Sequence, residues 1–336
     1  MKKKEKVVEE LDEEMEFKVN GIDRLAELQV NQADLNKFKS AGYCTVTSVL
    51  MATKKELLKI KGITEAKIDK VQEAAVKLEN KGYSNGLDML QKRKNIRKIS
   101  TGSEKLDALL GGGVESMSIT EAFGEFRTGK TQLCHTLAVT AQLPREEGGG
   151  GGKVIFIDAE GTFRPEKIVK IAERFDIDPE DALKNIVYAR AYTTEYQANL
   201  ITLAAAKMME EEYALVIVDS IMALFRVDYS GRGELSDRQR MLGKTLSKLM
   251  KLAEQFNVAV LLTNHVMSDP GATMTFTADP KKPIGGHVLA HASTTRLYLR
   301  KGKGDCRVCK IYDAPNLPES DAVFRLSDAG ITDEEA

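Results

Sequence analysis

The sequence predicts an α/β fold: a nucleotide-binding core with a mostly parallel twisted sheet, preceded by a small all-α domain. Three observations carry this expectation. From residue 116 onward, apolar runs of strand length alternate with helix-period segments, the pattern of a sheet covered on both faces. A glycine-bounded phosphate loop stands between one of those runs and a helix. Residues 1–80 hold only short helix-period stretches punctuated by glycine. The length of 336 residues suits two domains of about 150 residues. Hydrophobic residues make up 42% and charged residues 29% of the chain, which excludes disorder throughout. With 49 Lys+Arg against 50 Asp+Glu the formal charge is −1, so any nucleic-acid surface must be local. No run of about 18 apolar residues occurs, and the charged N-terminus lacks an apolar signal core, so a soluble, unsecreted protein with no membrane partner is expected. The four cysteines are too few for a disulfide framework and fit a reducing compartment. Cys306 and Cys309 stand in a segment of strand-like alternation without clustered histidine, and read as strand residues rather than metal or redox ligands.

Along the chain, residues 1–20 are densely charged and read as a solvated tail. Residues 21–80 carry helix-period segments: Leu35 and Phe38 before Gly42, Leu57, Leu58 and Ile60 before Gly62, then Ile68, Val71, Ala74, Ala75 and Leu78. Each glycine sits where a helix would end. The piece from Leu57 to Ala66 is similar to the hairpin of helix-hairpin-helix modules, where glycine permits a tight turn and the N–H groups of the next helix can meet a phosphate. Thr64 would cap that helix. Lys59, Lys61, Lys67 and Lys70 suit a non-specific phosphate contact, and would look the same on a merely solvated face. Residues 81–98 have Gly82, Gly86 and a basic run with few core positions, and read as the interdomain linker; residues 99–336 remain as the core.

After the apolar stretch Ser116–Phe123 comes Gly124-Glu125-Phe126-Arg127-Thr128-Gly129-Lys130-Thr131, then a helix-period segment from Gln132 to Gln142. This is the G-x-x-x-x-G-K-[ST] loop in its strand–loop–helix setting. Its glycines let backbone N–H groups wrap the phosphates, Lys130 reaches the β/γ oxygens, and Thr131 offers a hydroxyl to Mg²⁺. Strand-like runs recur at Val154–Ile157, Ile186–Tyr188, Leu215–Val218 and Val258–Leu262. Between the last two, Leu242, Leu246, Leu249, Ala253 and Phe256 form a core-facing helical stripe. Asp219 ends one run at the sheet's carboxyl edge, where it can orient Mg²⁺. Asp158 and Glu160 end another. Glu160, the second residue past its strand, is the better candidate to orient or deprotonate water; capping the next helix is the structural alternative.

Two segments exceed the needs of nucleotide chemistry: Phe225–Gly233, and the long Met267–His287, whose length marks a functional loop. Residues 281–310 hold eight Lys/Arg against the single acid Asp305, the basic patch missing from the overall charge. The run Gly148–Gly152 reads as a flexible surface loop, and His135 as structural.

The motifs GEFRTGKT, DAEGTFRPEK, LVIVDSIMALFR, DYSGRGELSDRQ and DPKKPIGGHVLAHASTTRLYLRKG together resemble the eukaryotic and archaeal RecA-like strand-exchange recombinases, over about residues 21–336. The segment Asp269–Phe276 looks like the meiosis-specific eukaryotic branch, with the somatic branch as alternative. The resemblance implies a RecA-like fold, ATP and Mg²⁺ as cofactors, and a DNA-dependent ATPase that forms filaments on single-stranded DNA and exchanges strands with a homologous duplex. It also implies rings and helical filaments, accessory recombination proteins and a nuclear, chromosomal location. It assigns Gly124–Gln132, Asp219 and Pro283 to nucleotide binding, Thr131 and Asp219 to the metal, and Glu160, Lys130 and His265 to catalysis. Arg226, Arg232 and Arg238 would hold DNA phosphates, and Met274, Thr275 and Phe276 would separate bases. The stretch Asp279–Pro283 would cap ATP on a neighbouring subunit.

Two positions depart from that family. It usually has glutamine after Thr-Asn as γ-phosphate sensor; here the residues are Thr263-Asn264-His265, and histidine can also take up a proton. Its self-association motif is Phe-x-x-Ala; here Tyr83-Ser84-Asn85-Gly86 keeps an aromatic anchor and loses the alanine methyl. Two other readings stay open at this stage: an accessory DNA-binding subunit with little ATP turnover, and a phosphate-loop helicase or metabolite kinase.

Overall fold

Apolar runs that are buried on both faces pair most stably with one another, and in the computed structural model they form a single ten-stranded sheet. The structure describes residues 17–79, 82–231, 233–268 and 281–334. A short antiparallel pair, β1 (Lys98–Ile99) and β2 (Val114–Glu115), precedes the sheet. Its strands are β3 (Ser118–Gly124), β4 (Lys153–Asp158), β5 (Ile186–Arg190), β6 (Tyr213–Asp219), β7 (Ala259–Ser268), β8 (Lys281–Pro283), β9 (Thr295–Lys301), β10 (Cys306–Asp313), β11 (Asp321–Ser327) and β12 (Gly330–Thr332). The order is β12-β11-β10-β9-β3-β7-β6-β4-β5, with β8 paired to β7. Strands β9, β3, β7, β6, β4 and β5 run parallel; β9 to β12 form an antiparallel meander.

Every residue of β3 and β6 is buried, because helices cover both faces. One face packs the helices Lys130–Thr140 and Pro165–Arg174, the other Thr194–Glu210 and Leu235–Phe256, where all five residues of the anticipated stripe are buried. Cys306 and Cys309 lie three residues apart on β10, so they point to opposite faces, as the strand reading requires. The meander beyond β9 was visible in the sequence only at that one alternation.

The N-terminal region is helical and closes its own core of Ile22, Leu25, Leu35, Phe38, Val46, Val49, Leu57 and Ile68. Helix Lys54–Leu57, a turn with Gly62 at φ +77°, and helix Glu65–Glu79 make the expected hairpin. Two short helices, Ile22–Leu28 and Val46–Leu50, went unread because five to seven residues show no clear period. This region docks on the core: Thr45 Oγ1 donates to Gln255 Oε1 at 3.0 Å, and a Cβ on Gly42 would stand 2.5 Å from Thr202 Cγ2.

One reading gains detail and one is corrected. Within the expected linker 81–98, residues Gly86–Lys94 form a helix, started by an Asn85–Asp88 capping box and ended by Lys92, Arg93 and Lys94 against its dipole. It buries no residue, which is why no core periodicity announced it. The Gly148–Gly152 run is not a flexible surface loop. A Cβ on Gly149 would lie 1.9 Å from the Leu143 carbonyl oxygen, and one on Gly150 would lie 2.4 Å from Ala214 Cβ. Buried Arg97 clamps the same turn, donating to the carbonyls of Gly150 (3.0 Å) and Tyr213 (3.1 Å) and pairing with Glu212. Flexible glycine and close-packed glycine look alike in composition; only the neighbours separate them. Of the charged tail 1–20, residues 1–16 lie outside the described residues.

His135 is buried, and its Nε2 accepts the Arg164 N–H at 3.1 Å. Burial, with Lys167 and Arg164 nearby, pushes its pKa from 6.5 down to about 4. A group depressed on folding stabilises the native state above its unfolded value and loses that contribution as pH falls through the folded one. Between pH 7 and 4 the wild type should lose about 3 kcal/mol of stability through this group, and His135→Gln should flatten that slope in urea titrations. Gly149→Ala and Gly150→Ala should each cost about 1–3 kcal/mol through overpacking, read from the same denaturant midpoints.

Candidate nucleotide and nucleic-acid site

The parallel strands end their chemistry on one edge of the sheet. β3 ends at Gly124, where a Cβ would sit 2.3 Å from the Leu299 carbonyl oxygen and 2.9 Å from Thr128 Oγ1, so only glycine fits. The loop then turns through Gly129 at φ +98° into helix Lys130–Thr140, whose first N–H groups face the loop's concavity. Lys130 Nζ donates to the carbonyls of Gly124 (3.0 Å) and Glu125 (2.7 Å). Burial lowers its pKa, against the pull of Asp219 and Glu160.

Thr131 Oγ1 donates to Asp219 Oδ2 at 2.8 Å, bringing together two hard oxygen groups of the kind Mg²⁺ takes. Burial raises the Asp219 pKa, opposed by the hydroxyls of Thr263 and Thr131. Glu160 Oε1 accepts from Ser220 Oγ at 2.6 Å and lies 2.7 Å from His265 Nε2, which must carry a proton to donate there. The His265 bond foremost, and that of Ser220, hold Glu160 down at about 2 despite partial burial. Asp158, fully buried, accepts from the N–H groups of Glu160 (2.9 Å), Gly161 (2.6 Å) and Phe163 (3.2 Å), so it shapes the turn that presents Glu160.

Of these residues, Lys130, Thr131, Glu160, Asp219 and His265 line a cavity of about 370 Å³ together with the rest of Phe126–Gln132 and with Thr162, Arg307 and Leu326. A second cavity of about 240 Å³ adjoins it through Thr131, Gln132 and Thr162, and is bordered by Arg164, Lys167 and Lys170. A larger one, about 670 Å³, opens at the start of β6 beside Arg97 and Glu212, far from the loop. The sequence reading missed Ser220, Thr162 and Arg307. The Arg307 Nε donates to the Arg127 carbonyl at 3.1 Å; its only signal was membership of the basic run 281–310.

Arg226 is exposed on helix Ala223–Asp228, and Arg238 is half-buried on helix Leu235–Phe256. Arg232, Met274, Thr275 and Phe276 lie outside the described residues. The chain leaves β7 at Ser268 and returns at Lys281, directly opposite, with Lys281 ion-paired to Glu125 of the phosphate loop at 2.9 Å. Pro283 faces Val266 across β7–β8 and does not line the cavity within one chain. Tyr83 and Leu90 stand exposed on the segment around helix Gly86–Lys94.

The Rad51 family profile matches residues 92–334. A meiotic recombination protein DMC1 homolog of Lilium longiflorum is 59% identical over 325 residues, 97% of this chain and 93% of its own. That of Arabidopsis thaliana is 60% identical over 312 residues, 93% of this chain and 90% of its own. The meiotic recombination protein DMC1/LIM15 homolog of Homo sapiens is 55% identical over 337 residues, covering 99% of both chains. Coverage this complete, on a sheet whose phosphate loop and acids share one edge, makes the chain a member of the Rad51 family.

Proposed function

We propose that this protein is a DNA-dependent ATPase and recombinase that forms filaments on single-stranded DNA and performs homologous pairing and strand exchange in meiotic recombination, within the nucleus. The observation that carries the reading is the convergence of Lys130, Thr131, Asp219, Glu160 and His265 on one cavity, at the base of the long segment 269–280. Thr131 and Asp219 would hold Mg²⁺, which supplies charge neutralisation at the β- and γ-phosphates. Lys130 follows the γ-phosphate, exchanging two carbonyl contacts for phosphate oxygens. Glu160, kept ionised by two donors, orients the attacking water; a carboxylate held this low is a weak proton acceptor, so positioning is its main contribution. We place the nucleoside in the adjoining cavity of about 240 Å³, which Lys167 and Lys170 border.

Arg226, Arg232 and Arg238 grip the phosphate backbone without reading sequence, and Met274, Thr275 and Phe276 wedge between bases, leaving sequence choice to base pairing. In the hairpin module, Lys59, Lys61 and Lys70 are exposed for duplex phosphates, whereas Lys67 is engaged with Asp34 at 2.8 Å. Tyr83 and Gly86 mediate self-association into rings and filaments, and Pro283 caps ATP across the resulting interface; accessory recombination proteins complete the set of partners.

With ATP, Mg²⁺ and single-stranded DNA, the wild type should form joint molecules only with a homologous duplex, and Lys130→Ala should lower DNA-stimulated hydrolysis about a hundredfold or more; joints independent of homology would overturn the reading. In His265→Ala, loss of the main donor should raise the Glu160 carboxyl from about 2 toward its ordinary value, seen by carboxyl-carbon NMR titration. Tyr83→Glu should reduce oligomers to monomers by light scattering; an unchanged mass would remove Tyr83 from the interface.

A further inference from the structure

Helix Gly86–Lys94 buries none of its residues, so packing does not set its direction. The contacts that tie it to the core gather at its C-terminal foot. Arg93 Nη2 pairs with Glu115 Oε2 at 3.2 Å, and the Asn95 carbonyl accepts from Asn257 Nδ2 at 2.8 Å. Asn257 is wholly buried, and its Oδ1 accepts from Ser116 Oγ at 2.6 Å. That hydroxyl in turn accepts the Arg97 N–H at 2.9 Å, and the Arg97 carbonyl accepts the Ser116 N–H at 2.9 Å. The buried Arg97 guanidinium then reaches across to the Gly150 and Tyr213 carbonyls and to Glu212. Three residues on, the Ser100 N–H donates to the Gly148 carbonyl at 2.8 Å. The glycine run 148–152 thus forms one wall of a socket: without side chains, its backbone comes close enough to accept from Arg97 and Ser100. The open cavity of about 670 Å³ lies beside Asn95, Arg97 and Glu212, so on that side hydrogen bonds, and not apolar packing, hold the foot.

A buried, mutually satisfied polar network fixes position, because each of its bonds fails over a few tenths of an ångström. The helix is therefore an arm with a fixed foot and an unsupported length of about 13 Å at 1.5 Å per residue, with exposed Tyr83 just beyond its tip. About ten degrees of play at the foot would move that tip by about 2 Å. We infer that Arg97 is a positioning residue: seated in the Gly148–Gly152 socket, it fixes the angle of the arm and so sets the rotation between neighbouring copies of this chain. Each copy that takes up its neighbour's Tyr83 repeats one head-to-tail contact, and the rotation per contact decides between a closed ring and an open helix. Play at the foot accumulates from copy to copy, so a tight socket yields a single pitch. The inference rests on the proposed self-association through Tyr83 and goes beyond it, since it names what orients that contact.

The test is electron microscopy of the full-length chain with single-stranded DNA, Mg²⁺ and a non-hydrolysable ATP analogue, measuring pitch segment by segment at a temperature well below the melting midpoint. If the wild type builds no filament, or Tyr83→Glu builds the same ones, the self-association reading fails and the inference falls with it. With wild-type filaments that Tyr83→Glu abolishes, Arg97→Ala should still assemble, with a spread of pitch at least about twofold wider and more closed rings. A structural role alone would lower the melting temperature and leave mean pitch and spread as in the wild type, and that result overturns the inference. A folded Arg97→Ala that no longer assembles overturns it as well, since Arg97 would then bear on the contact and not on its angle. Should Arg97→Ala fail to fold, Asn257→Gly keeps the left-handed backbone (φ +51°) and removes the side-chain contacts to Asn95 and Ser116. It loosens the same foot and should widen the spread in the same way; unchanged pitch in this folded variant overturns the inference.

Discussion

The parallel register between β3 and β7 is the constraint on which the rest of the site depends. It sets Gly124, where the phosphate loop begins, opposite His265, and Phe123 opposite Asn264. The neighbouring register of β4 with β6 sets Asp158 opposite Asp219. Because every one of these strands points the same way, each contributes its final residues to one edge, and the edge faces the first turn of helix Lys130–Thr140. A slip of one residue in β7 would send His265 to the opposite face and take Asn264 out of the core. The hydrophobic burial of β3 and β6 on both faces therefore has a chemical consequence: it holds an acid within hydrogen-bond distance of both a hydroxyl and an imidazole.

Polar groups buried at that edge are costly unless satisfied. The structure satisfies them with one another: Asp219 with Thr131 and Thr263, Glu160 with Ser220 and His265, Glu121 with Arg296 and Asn264. The pairings join different strands, a strand and a helix, or the turns that follow two different strands. The polar network thus fixes relative position where apolar packing alone would tolerate sliding, because a hydrogen bond fails over a few tenths of an ångström while a methyl contact does not.

Much of this was legible in the sequence, and the exceptions have physical causes. The phosphate loop, Asp219 and Glu160 follow from short motifs in which each residue type has a chemical task at a fixed distance along the chain. The strands of the core follow from apolar runs. What escaped depends on contacts between residues far apart in sequence. Ser220 reaches Glu160 across 60 positions, Arg307 reaches Arg127 across 180, and Glu121 meets Arg296 across 175. The glycine run 148–152 failed for the same reason: its rigidity comes from Leu143, Ala214 and Arg97, none of which the run itself reveals. The exposed helix Gly86–Lys94 failed for the opposite one, since its signal lies in its caps and not in any buried face.

His265 illustrates how a local departure from a family pattern can be absorbed by geometry. A glutamine amide would offer a donor that never titrates, whereas imidazole donates only in the tautomer or charge state that keeps a proton on Nε2. The Glu160 carboxylate stands 2.7 Å from Nε2, within reach of such a donor. Through that bond His265 holds the Glu160 carboxyl below its ordinary range, with Ser220 as the second donor.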